Sequence, residues 1–459
     1  MLRPTMLRRV LFMLPLLCAF GVLSACEEPA PKPVDPVALE TASDPELLHA
    51  AVKHLTDVMI RDIFSPPQAA RAYAYTTIAA YEAMVPDTPD LRSLAGQVAE
   101  LEAVPASPAD AEIHHPLAAT QAAYTVAEAL VFSPAEIAVR QEAMEAEARA
   151  ALPEALVEAS LAYGDAVAQH ILAWVNTDGY RETRSAPTYT VTDEPGRWVP
   201  TPPAYMDGVE PSWSQIRPFA LETADQFAPP PPPPYSLDHA SEFFRQAQEV
   251  YQIGATITEE QRAIASFWDC NPYVMHTRGH AMFATKKLTP GGHWVGIAAI
   301  ASRMRGDDFA ATAEAYTRTA IALSDAFISA WDEKYRSNLI RPETVINAHI
   351  DDAWVPVLQT PPFPEYTSGH SVISAAASVV LTDYFGDDFA FSDTTEVEYG
   401  LPVRDFPSFS VAAEEAAISR LYGGIHYRFA ADEGLKQGRN VGRHVVERLQ
   451  TRVPTLATQ

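Results

Sequence analysis

Three short segments in the last third of the chain carry residue types that could bind a small oxyanion. The first runs from Lys334 to Arg341, with six residues between the two cations. Lys334 falls on the same helical stripe as Leu323 and Phe327, so periodicity directs it towards the core. A lysine in that position needs an anionic partner. The alternative is a solvated lysine near the negative end of the helix dipole.

The second segment, Ser368-Gly369-His370, opens a predicted helix. The N–H groups of a helix N-terminus, a glycine that admits close approach and a serine hydroxyl together favour an oxyanion. His370 lies in the first turn of this helix, where an imidazole could transfer protons. Taken alone, this serine is equally typical of an ordinary helix N-cap.

The third segment contains Arg420 and His426 on either side of Gly423-Gly424. Paired glycines end a helix and let the chain turn, so the arginine and the histidine could point at the same place. Arginine forks suit tetrahedral oxyanions because they donate two hydrogen bonds at once. Either residue alone is more often structural, and only the combination of three segments is informative.

In this order, the segments resemble the tripartite signature of the type 2 phosphatidic acid phosphatase and vanadium haloperoxidase superfamily. The signature spans 331–426, and Thr367 stands where the superfamily usually has proline. The segments 267–269 and 290–294, with the long helical region before them, look like bacterial vanadium-dependent haloperoxidases. The resemblance therefore identifies the chain as a suspected member of the vanadium-dependent haloperoxidase family.

This resemblance implies a vanadate cofactor bonded to a ring nitrogen of His426. His370 is implied as the acid–base group, and Lys334 as the group that polarises bound hydrogen peroxide. Asp269 is a candidate for a carboxylate that steadies His370, and Asn271 is the alternative. The residues implied to hold the vanadate oxygens are Lys334, Arg341, Ser368, Gly369 and Arg420.

The implied reaction uses hydrogen peroxide, a halide and a small organic acceptor. The halide leaves as a hypohalous acid equivalent that halogenates the acceptor, and the vanadium acts as a Lewis acid without being reduced. The residues do not decide between iodide, bromide and chloride. Nor do they decide whether vanadate or phosphate occupies the site.

Two alternatives use the same residues differently. In an acid phosphatase, His426 would attack phosphorus to form a phosphohistidine, and His370 would protonate the leaving alkoxide. Exported phosphatases of this superfamily are usually much shorter, which favours the haloperoxidase. A non-catalytic surface lipoprotein with a vestigial anion pocket is the third hypothesis, although every expected anion-binding residue is present.

Composition excludes several other classes of protein. The 459 residues include 33 Lys and Arg against 59 Asp and Glu, a formal net charge of −26. Such a surface argues against nucleic acid or an anionic membrane surface as the main partner. With 47% hydrophobic residues, the chain can build a large core. Nothing in the sequence determines the oligomeric state, and a homodimer is possible.

The first 25 residues read as a secretory signal, with basic residues before a short apolar stretch. The signal ends in Leu23-Ser24-Ala25-Cys26, which resembles a bacterial lipobox. The resemblance implies cleavage before Cys26, lipidation of that thiol, and an exported protein anchored at the periplasmic or cell-surface side of a membrane. Residues 26–43 are then a flexible linker. The alternatives are an ordinary signal cleaved near Ala25 or an uncleaved anchor.

Helical periodicity dominates the rest of the chain, and strand alternation is almost absent. The expected fold is all-α, with two helical-bundle halves and long Pro-rich loops. An N-terminal half (44–228) ends in an irregular excursion, 180–226, and a C-terminal bundle (229–459) carries the oxyanion site. Helices are predicted over 45–63, 68–84, 115–132, 134–151, 156–176, 242–253, 258–268, 308–334, 368–385, 412–422 and 431–449.

Overall fold

The computed structural model of the protein describes residues 35–278, 281–284 and 287–453, so the predicted signal and Cys26 lie outside it. The described residues confirm the all-α class, with strands confined to two short antiparallel pairs. None of the described helices combines the length and apolar character needed to span a membrane. The elements are α1 (Pro36–Ala42), α2 (Glu46–Arg61), α3 (Pro66–Met84), α4 (His115–Leu130), α5 (Pro134–Ala151), α6 (Glu154–Val175), α7 (Tyr180–Ser185), α8 (Glu242–Thr256), α9 (Glu259–Phe267), β1 (Met275–Arg278), β2 (Ala281–Ala284), α10 (Pro290–Arg305), α11 (Phe309–Ser337), α12 (Pro342–His349), α13 (Gly369–Phe385), β3 (Phe391–Asp393), β4 (Arg404–Phe406), α14 (Phe409–Tyr422) and α15 (Arg428–Arg448).

Each helix predicted from periodicity is present, with small differences at its ends. The longest helices that the periodicity did not predict are α10 and α12, both of which begin with a proline. Ser65-Pro66-Pro67 follows the end of α2, and its two prolines open α3. Ser65 Oγ accepts a hydrogen bond from Gln68 N, and the prolines occupy the first turn, where no helical N–H is required.

The flexible linker predicted over 26–43 is wrong for its described part. Asp35 accepts a hydrogen bond from Val37 N and caps α1, which Pro36 opens. Three apolar side chains of this helix pack against the main core, so the segment is fixed to the protein; they are Ala38, Leu39 and Ala42.

The main hydrophobic core is a single cluster of buried side chains. Its members lie at intervals along the chain between Leu48 and Leu449 and belong to both predicted halves. Helix α11 packs against both α3, from the N-terminal part of the chain, and α13, from the C-terminal part. The irregular excursion is tied to α11 by Asp325, whose carboxylate accepts the N–H groups of Phe219 and Ala220, both at 2.7 Å. The division at residues 228 and 229 stays a prediction, since one core serves both sides.

Glycines allow α13 and α15 to lie unusually close together. A Cβ at Gly438 would lie 2.0 Å from the Val372 carbonyl oxygen, and one at Gly442 would lie 2.7 Å from the Ala376 carbonyl oxygen. Four-residue spacing puts both glycines on the face of α15 towards α13. This contact sets the position of the Ser368 end of α13 relative to the turn before α15.

We predict that Gly438→Ala lowers the stability of the protein. Helix propensity alone would favour alanine by about 1 kcal/mol, but the new methyl group must push two backbones apart, which costs roughly 1–3 kcal/mol or more. Thermal unfolding should show a lower Tm than that of the parent. Lys436→Ala, at an exposed position of the same helix, should leave Tm nearly unchanged. An equal or higher Tm for Gly438→Ala would contradict the close packing.

Candidate oxyanion site

Residues at or near the ends of four helices in the C-terminal half lie beside one cavity, whose lining includes Gly369, His370, Arg420 and His426. Lys334 comes from the last turn of α11, Arg341 precedes α12, Ser368 caps α13, and Arg420 lies in the last turn of α14. The cavity is walled mostly by aromatic and proline side chains, and its lining comprises Pro66, Cys270, Asn271, Pro272, Pro290, Phe327, Trp331, Pro361, Phe363, Gly369, His370, Arg420 and His426.

His426 stands in the turn between α14 and α15 with its ring held by Glu365. Its Nδ1 lies 2.7 Å from Glu365 Oε1, which also accepts the Tyr427 N–H at 3.0 Å. Arg341 Nη1 can only donate and lies 3.1 Å from Nε2, so Nε2 carries the lone pair and the proton is on Nδ1, which donates to Glu365. Burial, and then the charges of Arg341 and Lys334, hold the pKa of His426 well below its usual range. The neutral ring is the form that can ligate a metal.

The two arginines are buried with unused hydrogen-bond donors. Arg341 donates from Nε to Phe363 O at 2.9 Å and from Nη1 to Ile425 O at 2.8 Å. Arg420 donates from Nη1 to Trp268 O at 2.8 Å. Among the described residues, Arg341 Nη2 and Arg420 Nε find no partner. Unpaired donors on buried cations are expensive, so they point to a bound anion.

Burial also shifts the pKa values of both guanidinium groups. It lowers the pKa of Arg341 to about 10, while the nearby Glu365 carboxylate opposes the shift. Burial lowers the pKa of Arg420 as well. Arg341 therefore keeps its charge at neutral pH, and Arg420, which lines the cavity, adds a second guanidinium nearby.

The first turn of α13 offers two further donors. Ser368 Oγ accepts from Ser371 N at 3.3 Å and from Ser371 Oγ at 2.9 Å, so its own hydroxyl hydrogen is free for another acceptor. The N–H of Gly369 belongs to the first helical turn and has no acceptor within the helix. A Cβ at Gly369 would lie 3.6 Å from Lys334 Cε, so the lysine side chain passes close to the first turn of α13.

Lys334 faces the core, as its stripe predicts, and is 0% exposed. Its Nζ donates to the carbonyl oxygens of Pro364 and Glu365, both at 3.1 Å, and to that of Thr367. All three ammonium donors thus hold the backbone segment that leads into Ser368. Burial, followed by the charge of Arg341, keeps the pKa of Lys334 well below its usual range.

His370 has a ring nitrogen available for proton transfer. Its Nε2 is screened from solvent and has no hydrogen-bond partner among the described residues. Burial and the charges of Arg420 and His293 keep the pKa of His370 well below its ordinary value, opposed by a backbone hydrogen bond to Trp268. The ring is therefore neutral at the pH of most assays.

The group that steadies His370 differs from the one expected. Asp269 Oδ2 is paired with Lys287, and within the described chain no hydrogen bond joins Asp269 to His370. Asn271, the alternative, lines the cavity, but its side chain bonds to the backbone of Tyr273 and Gln359. A backbone hydrogen bond to Trp268, rather than a carboxylate, is what opposes the lowering of the His370 pKa.

Glu365 is the functional residue that the sequence reasoning missed. It lies three residues before Ser368 between Pro364 and Tyr366, in a segment whose apolar neighbours were a signal for burial. Its carboxylate is 0% exposed and contacts the ring of His426. Burial raises the pKa of Glu365 to about 7, while the Arg341 and Lys334 charges counteract this rise.

Known proteins share this architecture. Residues 314–454 match the VCPO second helical-bundle domain. The chain is 52% identical to a protein solved as the first bacterial vanadium-dependent iodoperoxidase, with a TM-score of 0.86 over 92% of this chain and 98% of that one. No curated protein matches the sequence.

More distant structures share the fold alone. A holo-type bacterial vanadium-dependent chloroperoxidase has a TM-score of 0.63 at 17% identity, over 85% of this chain and 93% of that one. The apo-type chloroperoxidase has a TM-score of 0.62 at 16% identity, over 83% and 93%. The identity with the iodoperoxidase, over nearly the whole of both chains, shows that this protein belongs to the vanadium-dependent haloperoxidase family.

Proposed function

We propose that iodide is the preferred halide of this enzyme, and that hydrogen peroxide oxidises it to a species that iodinates small organic acceptors. Haloperoxidase activity with a vanadate cofactor follows from the family, which favours this function over the phosphatase and the vestigial pocket. The observation that carries the iodide proposal is the 52% identity to a bacterial iodoperoxidase. The cavity of this chain adds a physical argument.

The donors in the cavity fit vanadate. Arg341 Nη2 and Arg420 Nε are unpaired and buried, and the Ser368 hydroxyl and Gly369 N–H add neutral donors. His426 Nε2 carries a lone pair beside them, which accepts a hydrogen bond from Arg341 Nη1 at 3.1 Å. When bound, vanadate supplies Lewis-acid activation of hydrogen peroxide. Two guanidinium groups offset its negative charge, and bidentate forks suit its oxygens.

The protein's own contribution is to orient and to move protons. Glu365 fixes the His426 ring with Nε2 turned towards Arg341 Nη1, 3.1 Å away. His370 Nε2 is neutral and screened from solvent, so it can accept a proton from hydrogen peroxide and return it to a leaving oxygen. Lys334 holds the backbone before Ser368 in place through its carbonyl contacts.

The walls of the cavity favour a large, weakly hydrated anion. Phe327, Trp331 and Phe363 line the space next to the cationic groups. Moving an ion from water to an apolar wall costs free energy, and the cost falls as the ion becomes larger. Iodide is larger, more polarizable and more easily oxidised than bromide or chloride. Iodide therefore has the smallest free-energy cost on entering the cavity and is the halide that is oxidised most readily.

We predict that kcat/KM for iodide exceeds that for bromide by about tenfold or more, equivalent to roughly 1.4 kcal/mol in the transition state. The assay is the peroxide- and orthovanadate-dependent halogenation of a dye, with the two halides compared at several concentrations. His426→Ala should abolish both activities, because the cofactor loses its nitrogen ligand. A kcat/KM for bromide equal to or above that for iodide would overturn the halide proposal and leave the family assignment intact.

A second prediction concerns the partner of His426. Glu365→Gln should weaken orthovanadate binding about 10–100-fold, because partners behind a metal-ligating histidine set its tautomer and basicity. Isothermal titration calorimetry with orthovanadate measures this directly. Glu82→Gln is the matched control, since Glu82 is a buried carboxylate that accepts from Ser93 and Leu94 and does not contact His426. Equal losses in the two variants would mean that Glu365 acts only on the fold.

We also propose that the chain is an exported lipoprotein anchored through Cys26. The support is the sequence Leu23-Ser24-Ala25-Cys26 at the end of an apolar stretch. Expressed in a bacterium supplied with radiolabelled palmitate, the full chain should become labelled and partition into detergent. Cys26→Ser should abolish both effects. Unlabelled parent protein that is cleaved near Ala25 would instead establish an ordinary secretory signal.

A further inference from the structure

Beside the oxyanion cavity, three buried side chains bring a thiol, an imidazole and a carboxylate together. Cys270 Sγ lies 3.4 Å from His293 Nδ1 and 3.7 Å from Glu396 Oε1, and Nδ1 lies 3.4 Å from the same oxygen. The residues are 1%, 0% and 6% exposed, respectively. They come from three separate parts of the chain: the segment after α9, the first turn of α10 and the segment after β3.

The imidazole of this cluster is held from behind. His293 Nε2 lies 2.8 Å from Asp393 Oδ2, and Asp393 Oδ1 accepts from Thr395 N at 3.0 Å and Thr395 Oγ1 at 2.7 Å. The indole of Trp268 stacks on the ring with centroids 4.6 Å apart. A carboxylate behind one ring nitrogen, with the other nitrogen facing a thiol and a carboxylate, is the arrangement typical of metal-binding histidines.

We propose that Cys270, His293 and Glu396 bind a divalent transition-metal ion, and that Zn²⁺ fits best. Bond lengths of about 2.0–2.3 Å at a tetrahedral angle place neighbouring ligand atoms roughly 3.3–3.6 Å apart. The observed separations of 3.4, 3.4 and 3.7 Å match this triangle. A thiolate and an imidazole select a borderline-soft ion over Mg²⁺ or Ca²⁺. On binding, the thiol proton and any proton on Nδ1 are released to solvent.

The proposed ion would brace one wall of the oxyanion site. Cys270 follows Trp268 by two residues, and the Trp268 carbonyl accepts the Arg420 Nη1 hydrogen bond at 2.8 Å. A metal held by Cys270, His293 and Glu396 fastens that segment to α10 and to the chain after β3. Cys270 also lines the oxyanion cavity, but none of the three residues is among the donors to vanadate, so occupancy of the metal site does not depend on the proposed function.

Metal content and a cobalt spectrum test the proposal. Untagged full-length protein expressed with added zinc should contain about one zinc per chain by elemental analysis. Expressed with cobalt, it should show a near-ultraviolet thiolate-to-cobalt charge-transfer band and visible bands typical of tetrahedral Co²⁺. Cys270→Ser should remove the charge-transfer band, and Glu396→Gln should lower the metal content several-fold. Glu82→Gln, at a buried carboxylate elsewhere, should retain both signals.

Either of two results would overturn the proposal. One is well-folded parent protein that contains less than a tenth of an equivalent of zinc and cobalt after supplementation. This result would make the cluster a hydrogen-bonded network only. The other is bound cobalt without a thiolate band in the parent protein, which would place the metal elsewhere. Both readouts use the parent chain, so they stand even where a variant fails to fold.

Discussion

The burial of positive charge in the middle of an acidic protein is the constraint on which the site depends. Arg341 and Arg420 are 0% and 1% exposed and keep donors without partners, and Lys334 is 0% exposed beside them. Taking such groups out of water costs several kcal/mol each unless hydrogen bonds and counter-charges compensate. The surrounding architecture supplies part of that compensation and leaves the rest for an anion.

Backbone carbonyl groups supply much of the protein's share. Carbonyls of Phe363, Ile425 and Trp268 accept from the arginines, and three carbonyls of the segment 364–367 accept from Lys334. Carbonyls carry only partial charges, so they orient the cations without neutralising them. Glu365 adds one carboxylate, whose Oε1 accepts from His426 and from the Tyr427 N–H. The net charge of the cavity therefore stays positive and selective for an oxyanion.

Helix packing holds these groups in place. The close contact of α13 with α15, which Gly438 and Gly442 allow, positions the donors of Ser368 and Gly369 relative to the His426 turn. Helix α11 carries Lys334 and also anchors the irregular excursion through Asp325. The N-terminal half thus supports a site built almost wholly from C-terminal residues. This support is a physical reason why the chain is longer than the exported phosphatases of the superfamily. The proposed metal cluster would extend this support to the wall that carries Trp268.

Much of the site was readable from the sequence, because helical periodicity and short motifs are local properties. Periodicity located each predicted helix, and the three motifs pointed to Lys334, Arg341, Ser368, Arg420 and His426. Helices α10 and α12 were not predicted, because each begins with a proline and proline is also typical of loops. The lysine's direction towards the core was also predictable, since stripe position depends only on spacing.

The remaining features depended on the tertiary structure, because they join residues that are far apart in the chain. Glu365 contacts His426, which is 61 positions further along the chain, and Asp269 pairs with Lys287 rather than with His370. Cys270 and Glu396 are 126 positions apart, so no spacing rule could have paired them. A motif states which donors are available, but the pairing of buried charges is decided by which groups the packed helices bring within hydrogen-bond distance.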